Sequence, residues 1–310
     1  MVAEPNTGGW SRGRCAAWGS VLILSLVLAA AKWWPAAWKT IAADNQKPAD
    51  ARVSGGALLI VGGGEVTQEI RRRFVELAGG PQARIVVIPA SEPGADDVER
   101  WLRPWRSLGV SHCEMLHAAD RSKADSSGFC EPLTKTTGVW FTGGRQAFLA
   151  ERYVDTAVEK CLRDLLTRKG VVGGTSAGAA ILSRVMIVEG SSQPVEARGL
   201  GLLDDAVIDQ HFLKRNRIWR LQQVLKSHPE LVGFGIDERT ALIVRLGLGR
   251  LEVVGPSYVM ACVPGADPHP FRFEVLQAGD EIFLESLREA HRPYRPPVDW
   301  DEVTDIRTAN

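Results

Sequence analysis

The feature that most constrains the fold of this chain is the alternation of short apolar runs with longer amphipathic runs. Two of the apolar runs end in glycines, ALLIVGGG from Ala57 and VWFTGG from Val139. Between them lie stretches with helical periodicity, such as VTQEIRRRFVELAGG from Val66. Strands that alternate with helices form a mostly parallel sheet. The sequence therefore predicts an α/β protein whose ligands bind beyond the carboxyl ends of the strands, where the glycines fall.

Several element boundaries follow from the same pattern. We expect a helix from Asp97 to Leu108 with a break at Pro104, because proline lacks the N–H that a helix interior needs. One long helix is expected through AFLAERYVDTAVEKCLRDLLTRKG, and the run AGAAILSRV opens another. From about Thr240 onward, short β runs separated by glycine or proline predict antiparallel strands that extend the sheet.

The first fifty residues differ from the rest of the chain. An uncharged run, Cys15–Ala31, follows two arginines and is long for the core of a signal peptide but short for a membrane span. Either the run is cut at a small-residue site and the protein is exported, or it stays as an anchor with the following tryptophans at the membrane interface. Residues 1–53 are thus predicted to be leader and linker, and residues 54–310 one folded domain.

Charge and local spacing exclude several classes of function. Lys plus Arg and Asp plus Glu both number 37, so no net field favours nucleic acid as a partner. The first glycine-rich turn, GGGEVTQ, lacks the G-x-G-x-x-G spacing of a dinucleotide loop. No cysteines or histidines have the spacing of metal ligands. We therefore expect neither a cofactor nor a metal.

Four cysteines lie in the predicted domain, and their pairing bears on the compartment. They are Cys113, Cys130, Cys161 and Cys262. A bridge between Cys113 and Cys130 would form in an oxidising compartment, whereas the alternative is four separate buried thiols. The sequence leaves both interpretations open.

The segment GGTSAG contains a match to the pattern G-x-S-x-G, running from Gly174 through Ser176 to Gly178. This pattern places a serine on a sharp turn between a strand and a helix, and small neighbours leave room for the strained turn. The preceding run predicts the strand and the following run predicts the helix. Ser176 is therefore a candidate nucleophile. The alternative is a small-residue turn that lets a helix and a strand pack closely.

A serine becomes a nucleophile only when a base takes its proton, and histidine is the usual base. Among six histidines, His211 ends a predicted strand, AVIDQHF, and is expected at the same sheet edge as Ser176. The basic residues that follow it form either a solvated helix face or an anion site. Beside a candidate nucleophile, anion binding is favoured. These residues are Arg215, Arg217 and Arg220.

The other parts of a hydrolase site also have candidates. Asp237 and Glu238 follow another apolar run, so either could orient His211, unless both belong to a polar turn between strands. The backbone N–H of Ala177 is the first candidate donor to a developing oxyanion. Candidates for the second donor are Gly62, Gly63, Gly64 and Gly144.

Five motifs together resemble the cyanophycinase family, serine exopeptidases related to the aspartyl dipeptidase peptidase E. They are IVGGGE, FTGGRQ, GGTSAGAAI, DQHFLKRNRIWRL and GFGIDERTAL, and the resemblance covers Ser54 to about Val263. It implies a fold like that of class I glutamine amidotransferases, a three-layer α/β sandwich with a mostly parallel central sheet and C-terminal antiparallel strands. The implied substrate is cyanophycin, a poly-aspartate chain with arginine on each side chain, which is released as β-Asp-Arg dipeptides.

The resemblance also implies roles for individual residues. Ser176 is implied to be the nucleophile and His211 the base of an acyl-enzyme mechanism. Glu238 is the preferred acid, whereas peptidase E relatives place the acid between serine and histidine, where Glu189 and Glu196 are candidates. The residues implied to line the substrate pocket are Gln146, Asp209, Gln210, Arg215, Arg217 and Arg220.

One residue departs from the pattern of the family. Where the family usually has FTGGDQ, this chain has Arg145 in place of the acid, which changes the charge next to Gln146. We predict an exported or membrane-tethered serine peptidase that acts on cyanophycin or related aspartate-rich peptides. The alternatives are an aspartyl or isoaspartyl dipeptidase, or a catalytically weakened binding protein of the same fold. The sequence leaves open whether the protein forms a homodimer.

Overall fold

The computed structural model describes residues 55–94, 97–265 and 269–288. The predicted leader and the predicted domain boundary at Ser54 lie outside these ranges. Across the described ranges, no helix is both long enough and apolar enough to span a membrane.

Fourteen strands are present in the described part. They are β1 (Ala57–Val61), β2 (Arg84–Ala90), β3 (His112–Met115), β4 (Gly138–Gly144), β5 (Val171–Thr175), β6 (Val185–Glu189), β7 (Val195–Arg198), β8 (Ala206–Gln210), β9 (Val232–Ile236), β10 (Ala241–Arg245), β11 (Arg250–Val254), β12 (Val259–Pro264), β13 (Phe271–Leu276) and β14 (Glu281–Phe283).

The same ranges contain nine α-helices and two short 3₁₀ turns. The helices are α1 (Gln68–Leu77), α2 (Asp97–Arg106), α3 (Arg121–Ala124), α4 (Ser127–Lys135), α5 (Gln146–Tyr153), α6 (Ala157–Thr167), α7 (Ala177–Ala180), α8 (Ile218–Ser227) and α9 (Leu284–Arg288). The 3₁₀ turns are Gly80–Gln82 and Leu246–Leu248.

The larger of two sheets has the strand order β14-β11-β10-β1-β5-β4-β2-β3. The five strands from β1 to β3 in this order are parallel, whereas β10, β11 and β14 are antiparallel. The carboxyl ends of the parallel strands therefore share one edge. This sheet confirms the predicted α/β class with a mostly parallel centre.

The second sheet has the order β13-β12-β9-β8-β6-β7 and was not foreseen from the sequence. The C-terminal β runs were predicted to extend one sheet, but β12 and β13 join this second sheet. The two sheets meet beside β1, where the His211 N–H donates to the Gly62 carbonyl oxygen at 2.6 Å. This junction brings the end of β8 to the edge at which β1 and β5 end.

Both faces of the parallel strands are covered, since every side chain of β1 and all but the first of β2 are buried. On one face Phe74, Trp105 and Trp140 form an aromatic cluster with ring centroids 4.9 to 5.2 Å apart. Gly173 leaves room for this cluster, because a Cβ there would lie 2.9 Å from the Phe74 ring. Aromatic side chains bury large apolar areas, so the cluster contributes to the stability of the sheet that carries the site edge.

Two of the predicted helix boundaries are wrong. α2 continues through Pro104 and ends two residues later, because Leu102 and Trp105 hold its apolar face in the core. The predicted long helix is divided into α5 and α6. Asp155, with a φ of 56°, separates them, and its N–H donates to the Glu159 carboxylate at 3.0 Å, which caps the new helix.

The helix after Ser176 is shorter than predicted and has a single turn, α7. The Leu200 and Leu202 N–H groups donate to the carbonyl oxygens of Ile181 and Leu182 at 2.8 Å each. These carbonyl oxygens accept from the segment before β8 instead of from a following helical turn, so the helix ends and the chain enters β6.

Candidate active site

Ser176 lies on the sharp turn between β5 and α7, with a φ of 53° and a ψ of −111°. Such a backbone conformation is strained for a residue with a side chain. The flanking glycines are required: a Cβ at Gly174 would lie 2.3 Å from the Gly178 carbonyl oxygen, and one at Gly178 would lie 2.3 Å from the Phe141 carbonyl oxygen. The Ser176 N–H donates to the Val61 carbonyl oxygen at 3.0 Å, which anchors the turn to β1.

His211 and Glu238 complete a chain of hydrogen bonds that starts at Ser176. The Ser176 Oγ lies 2.9 Å from His211 Nε2, and His211 Nδ1 lies 2.6 Å from Glu238 Oε1. A carboxylate only accepts hydrogen bonds, so Nδ1 carries the proton and Nε2 is free to accept from the serine hydroxyl. The three side chains therefore have the geometry of a serine, base and acid triad.

The turn after β1 holds the histidine and the acid in place. Gly63 has a φ of 117°, and a Cβ there would lie 2.3 Å from His211 Cε1. A Cβ at Gly64 would lie 3.1 Å from the Glu238 Cβ. Gly63 and Gly64, which the sequence analysis names as candidate oxyanion donors, lie against the imidazole and the carboxylate of the triad. Their lack of side chains lets the turn pack closely on both groups.

Ala177 on α7 and the glycine pair at the end of β4 lie beside Ser176. Ala177 begins α7, and its backbone N–H has no acceptor among the described residues. A Cβ on Gly143 would lie 3.7 Å from the Ser176 Cβ, whereas one on Gly144 would lie 2.6 Å from the Ala90 carbonyl oxygen. Gly144 thus faces β2, and Gly143, which the sequence analysis missed, is the glycine beside Ser176. The signal was the glycine pair in FTGGRQ, but the sequence does not tell which member faces the serine.

Asp209 and Arg220, which the resemblance implies to line the substrate pocket, form an ion pair with each other. Arg220 Nε donates to Asp209 Oδ2 at 2.9 Å, and Nη2 donates to the second carboxylate oxygen. Both side chains are buried, and the free-energy cost of burying each charge is smaller because the two charges are paired. Arg220 Nη1 also donates to the Gly190 carbonyl oxygen at 2.9 Å. The pair ties α8 to the end of β8, directly before His211.

Gln210 and Gln146 are also engaged by the protein itself. Arg217 Nη1 donates to the Gln210 carbonyl oxygen at 2.6 Å and to the side-chain oxygen of the same residue. Burial, and then the neighbouring Arg220, lower the pKa of Arg217 to about 10, so it stays charged at neutral pH. The Gln146 amide donates to the carbonyl oxygens of Ile187, at 3.3 Å, and Val188. Gln146 thus links the end of β4 in the first sheet to β6 in the second, whereas Arg217 braces the end of β8.

Among the exposed cations near this edge are two arginines that follow His211 and the glycine pair of β4. Arg215 follows His211 by four residues, and Arg145 follows the glycine pair at the end of β4. Neither guanidinium has a hydrogen bond or an ion pair within the part of the chain that the structure describes. Both are therefore available to an anionic ligand.

The electrostatic surroundings of His211 favour its neutral form. Burial lowers its pKa below the ordinary value, and the positive charges of Arg215 and Arg217 act in the same direction. The hydrogen bond from Nδ1 to Glu238 opposes this shift. A neutral imidazole is the form that can take a proton from Ser176.

The other acid candidates lie elsewhere. Glu196 contacts His228 Nε2 at 2.8 Å, and Glu189 ends β6 as an exposed residue. The Asp237 carboxylate accepts from the Lys214 N–H at 3.0 Å and from the Ser257 hydroxyl at 2.9 Å. Glu238 is therefore the acid that the fold brings to His211. Across the described residues, no group of three or more His, Cys, Asp and Glu side chains could hold a metal ion.

Several known proteins resemble this chain in sequence. The sequence model of peptidase family S51 matches residues 58–248. A cyanophycinase from Synechococcus elongatus is 32% identical over 269 residues, which cover 78% of this chain and 84% of that protein. A cyanophycinase from Trichormus variabilis is 34% identical over 255 residues, which cover 74% and 85%.

A solved structure has a similar fold. It is the crystal structure of a peptidase from an acI-B1 Actinobacterium, with a TM-score of 0.58 and 24% identity. The match covers 75% of this chain and 99% of that one. The likeness confirms the predicted α/β sandwich.

Proposed function

The chain belongs to peptidase family S51 and is a serine peptidase, and we propose that it hydrolyses cyanophycin or related aspartate-rich peptides through an acyl-enzyme. We assign the catalytic roles to Ser176, His211 and Glu238. The observation that carries this assignment is the unbroken chain of two hydrogen bonds, 2.9 and 2.6 Å long, from the serine to the carboxylate.

The proposed reaction begins when His211 Nε2 takes the proton of the Ser176 hydroxyl. The Ser176 Oγ then attacks the carbonyl carbon of the scissile bond, and the negative charge that forms on the carbonyl oxygen is stabilised by backbone N–H groups. We propose that the backbone N–H groups of Ala177 and Gly143 donate them. The protonated His211 gives its proton to the leaving amine, and water then releases the acyl group by the same steps.

Glu238 has a separate part in this proposal. Its carboxylate accepts the Nδ1 proton of His211, which holds the ring in the tautomer whose Nε2 faces Ser176. It also stabilises the imidazolium that forms during each proton transfer. Without this acceptor, the ring could donate to the serine instead of accepting from it.

The proposed substrate rests on the family and on charge. The curated relatives are named cyanophycinase. Exposed Arg215, four residues after His211, would pair with a carboxylate of an aspartate-rich chain. We propose release of β-Asp-Arg dipeptides, as in the family.

Arg145 favours one second candidate, an aspartyl or isoaspartyl dipeptidase. A cation at the end of β4 would repel the arginine side chains of cyanophycin but attract the terminal carboxylate of a short peptide. The two candidates thus place different groups beside Arg145, a guanidinium of cyanophycin or the terminal carboxylate of a dipeptide.

The test is a direct comparison of substrates with the wild type and Arg145→Asp. Cyanophycin, Asp-X dipeptides and β-Asp-X dipeptides are incubated with each, and the products are identified by mass spectrometry. Release of β-Asp-Arg from cyanophycin by the wild type supports the proposal. The second candidate is supported if the wild type cleaves only the dipeptides, whereas Arg145→Asp also cleaves cyanophycin. If none of the three is cleaved, both substrate proposals are overturned.

The pH dependence of the reaction follows from the environment of His211. Because its pKa is lowered, kcat/KM is expected to stay on its plateau below the ordinary histidine value of about 6.5, and to fall only as the pH drops through the lowered value. Arg215→Gln removes a positive charge that disfavours the imidazolium, so the acid limb should move to higher pH. Profiles of kcat/KM between about pH 4.5 and 8 measure this.

Lys160→Gln is the matched control, since it removes an exposed positive charge on α6 that does not act on His211. Its acid limb should coincide with that of the wild type. An Arg215→Gln profile that does not move, or moves to lower pH, would contradict this account of the base.

A further inference from the structure

Helices α4 and α6 lie side by side, and each carries one cysteine. At their amino ends, the Ala157 N–H donates to the Asp125 carboxylate at 2.8 Å. At their carboxyl ends, the Arg168 guanidinium donates to the carbonyl oxygens of Leu133, at 3.1 Å, and Thr136, at 3.5 Å. Contacts at both ends show that the two helices run in the same direction.

The two cysteines are level with each other along these helices. Cys130 is the fourth residue of α4 and Cys161 the fifth of α6, so each lies about one turn from the paired amino ends. The two thiols interact, since the presence of Cys161 raises the pKa of Cys130. Cys113 and Cys262, by contrast, lie in β3 and β12 and are buried in separate cores. The neighbour of Cys130 is therefore Cys161 and not Cys113, the partner considered from the sequence.

We propose that Cys130 and Cys161 form a reversible disulfide when the protein meets a small disulfide oxidant such as oxidised glutathione. Cys161 is only half-buried, whereas Cys130 is buried. The Cys161 thiolate attacks one sulfur of the oxidant and releases the first reduced thiol. Cys130 then loses its proton and attacks the Cys161 sulfur of the mixed disulfide, which releases the second. Two protein thiols are oxidised and one small disulfide is reduced to two thiols.

The order of these two steps follows from the environment of each sulfur. Burial raises the pKa of Cys130 to about 12, and the hydrogen bond with Cys161 acts in the same direction. Cys130 is thus protonated and shielded until Cys161 has reacted. Once Cys161 carries the mixed disulfide, that hydrogen bond is lost and a reactive sulfur lies next to Cys130.

The position of the pair gives the cross-link a structural consequence. α4 leads into β4, whose end carries Gly143, and α6 leads into β5, whose end precedes Ser176. A disulfide here closes a loop of about 30 residues and ties together the two helices that support both strands of the site. The cross-link would stabilise the folded domain without touching the reacting groups.

The test is oxidation of the full-length protein with oxidised glutathione, followed by peptide mapping without reduction. We expect a linked pair of peptides that contain Cys130 and Cys161, and a melting temperature higher by on the order of 5 to 10 °C than that of the reduced protein. Cys161→Ser should lose both the linked pair and the oxidation-dependent shift. Cys130→Ala should lose them too, and its Cys161 should stop at the mixed disulfide with glutathione.

Cys262→Ala is the control, because it removes another buried thiol whose pKa is raised to about 12 by burial. It should keep the linked pair and the shift. The proposal is overturned if the folded wild type yields no Cys130–Cys161 peptide or if Cys130 is found linked to Cys113. It is also overturned if oxidation leaves the melting temperature of the wild type and of Cys262→Ala unchanged.

Discussion

Ser176→Ala is expected to lower kcat by about 10⁴- to 10⁶-fold, because no other group near His211 can form the covalent intermediate. Alanine can occupy the same strained turn, since the Ser176 N–H bond to Val61 and the packing of Gly174 and Gly178 do not involve the hydroxyl. The fold should therefore persist while hydrolysis is lost. Steady-state rates on the substrate identified above, and labelling by a fluorophosphonate probe, measure the effect.

The control for this variant is Ser192→Ala, which removes the hydroxyl of an exposed loop serine. It should retain the wild-type rate and the fluorophosphonate label. The label should be absent from Ser176→Ala, while its melting temperature stays within a few degrees of the wild type. Activity and labelling that survive in Ser176→Ala would show that the nucleophile lies elsewhere.

Glu238→Gln is expected to lower kcat by on the order of 10³- to 10⁴-fold with little change in KM. A carboxamide has the shape of the carboxylate but can donate to His211 Nδ1, which favours the tautomer whose Nε2 carries the proton. Nε2 then cannot accept from Ser176. The carboxamide also lacks the charge that stabilises the imidazolium.

Glu196→Gln is the matched control for Glu238→Gln. Glu196 Oε2 also lies 2.8 Å from a histidine nitrogen, His228 Nε2. The same substitution therefore alters a carboxylate–histidine pair that does not involve Ser176. We expect its kcat to equal that of the wild type. The assignment of the acid is wrong if Glu238→Gln keeps full activity, or if Glu196→Gln loses as much as Glu238→Gln does.

Sequence patterns predicted the elements at the site edge well. The apolar run before Ser176 is β5, the run that ends at Gln210 is β8, and the run before Asp237 is β9. Each of these strands is a local property, because its apolar residues and the glycines that end the run all fall within about ten residues. The same patterns predicted a break at Pro104 that does not occur, since packing of Leu102 and Trp105 outweighs the local preference.

The residues that the resemblance assigns to the substrate pocket differ in burial. Asp209 and Arg220 have the charges of a binding pair, yet the fold buries them against each other. Arg215 and Arg145 have the same residue type as Arg220 and stay exposed. A motif gives the identity of a side chain, but its burial depends on which elements pack over it.

The sequence by itself determined the class of fold, the strained turn at Ser176 and the family, because each rests on short motifs that are recognisable one by one along the chain. The tertiary structure decided which acid meets His211, which glycine faces the serine and which cysteine lies beside Cys130. Ser176 and His211 are 35 residues apart, and His211 and Glu238 are 27 apart. Such pairs form only when the two sheets meet beside β1, and no local pattern specifies how that junction packs.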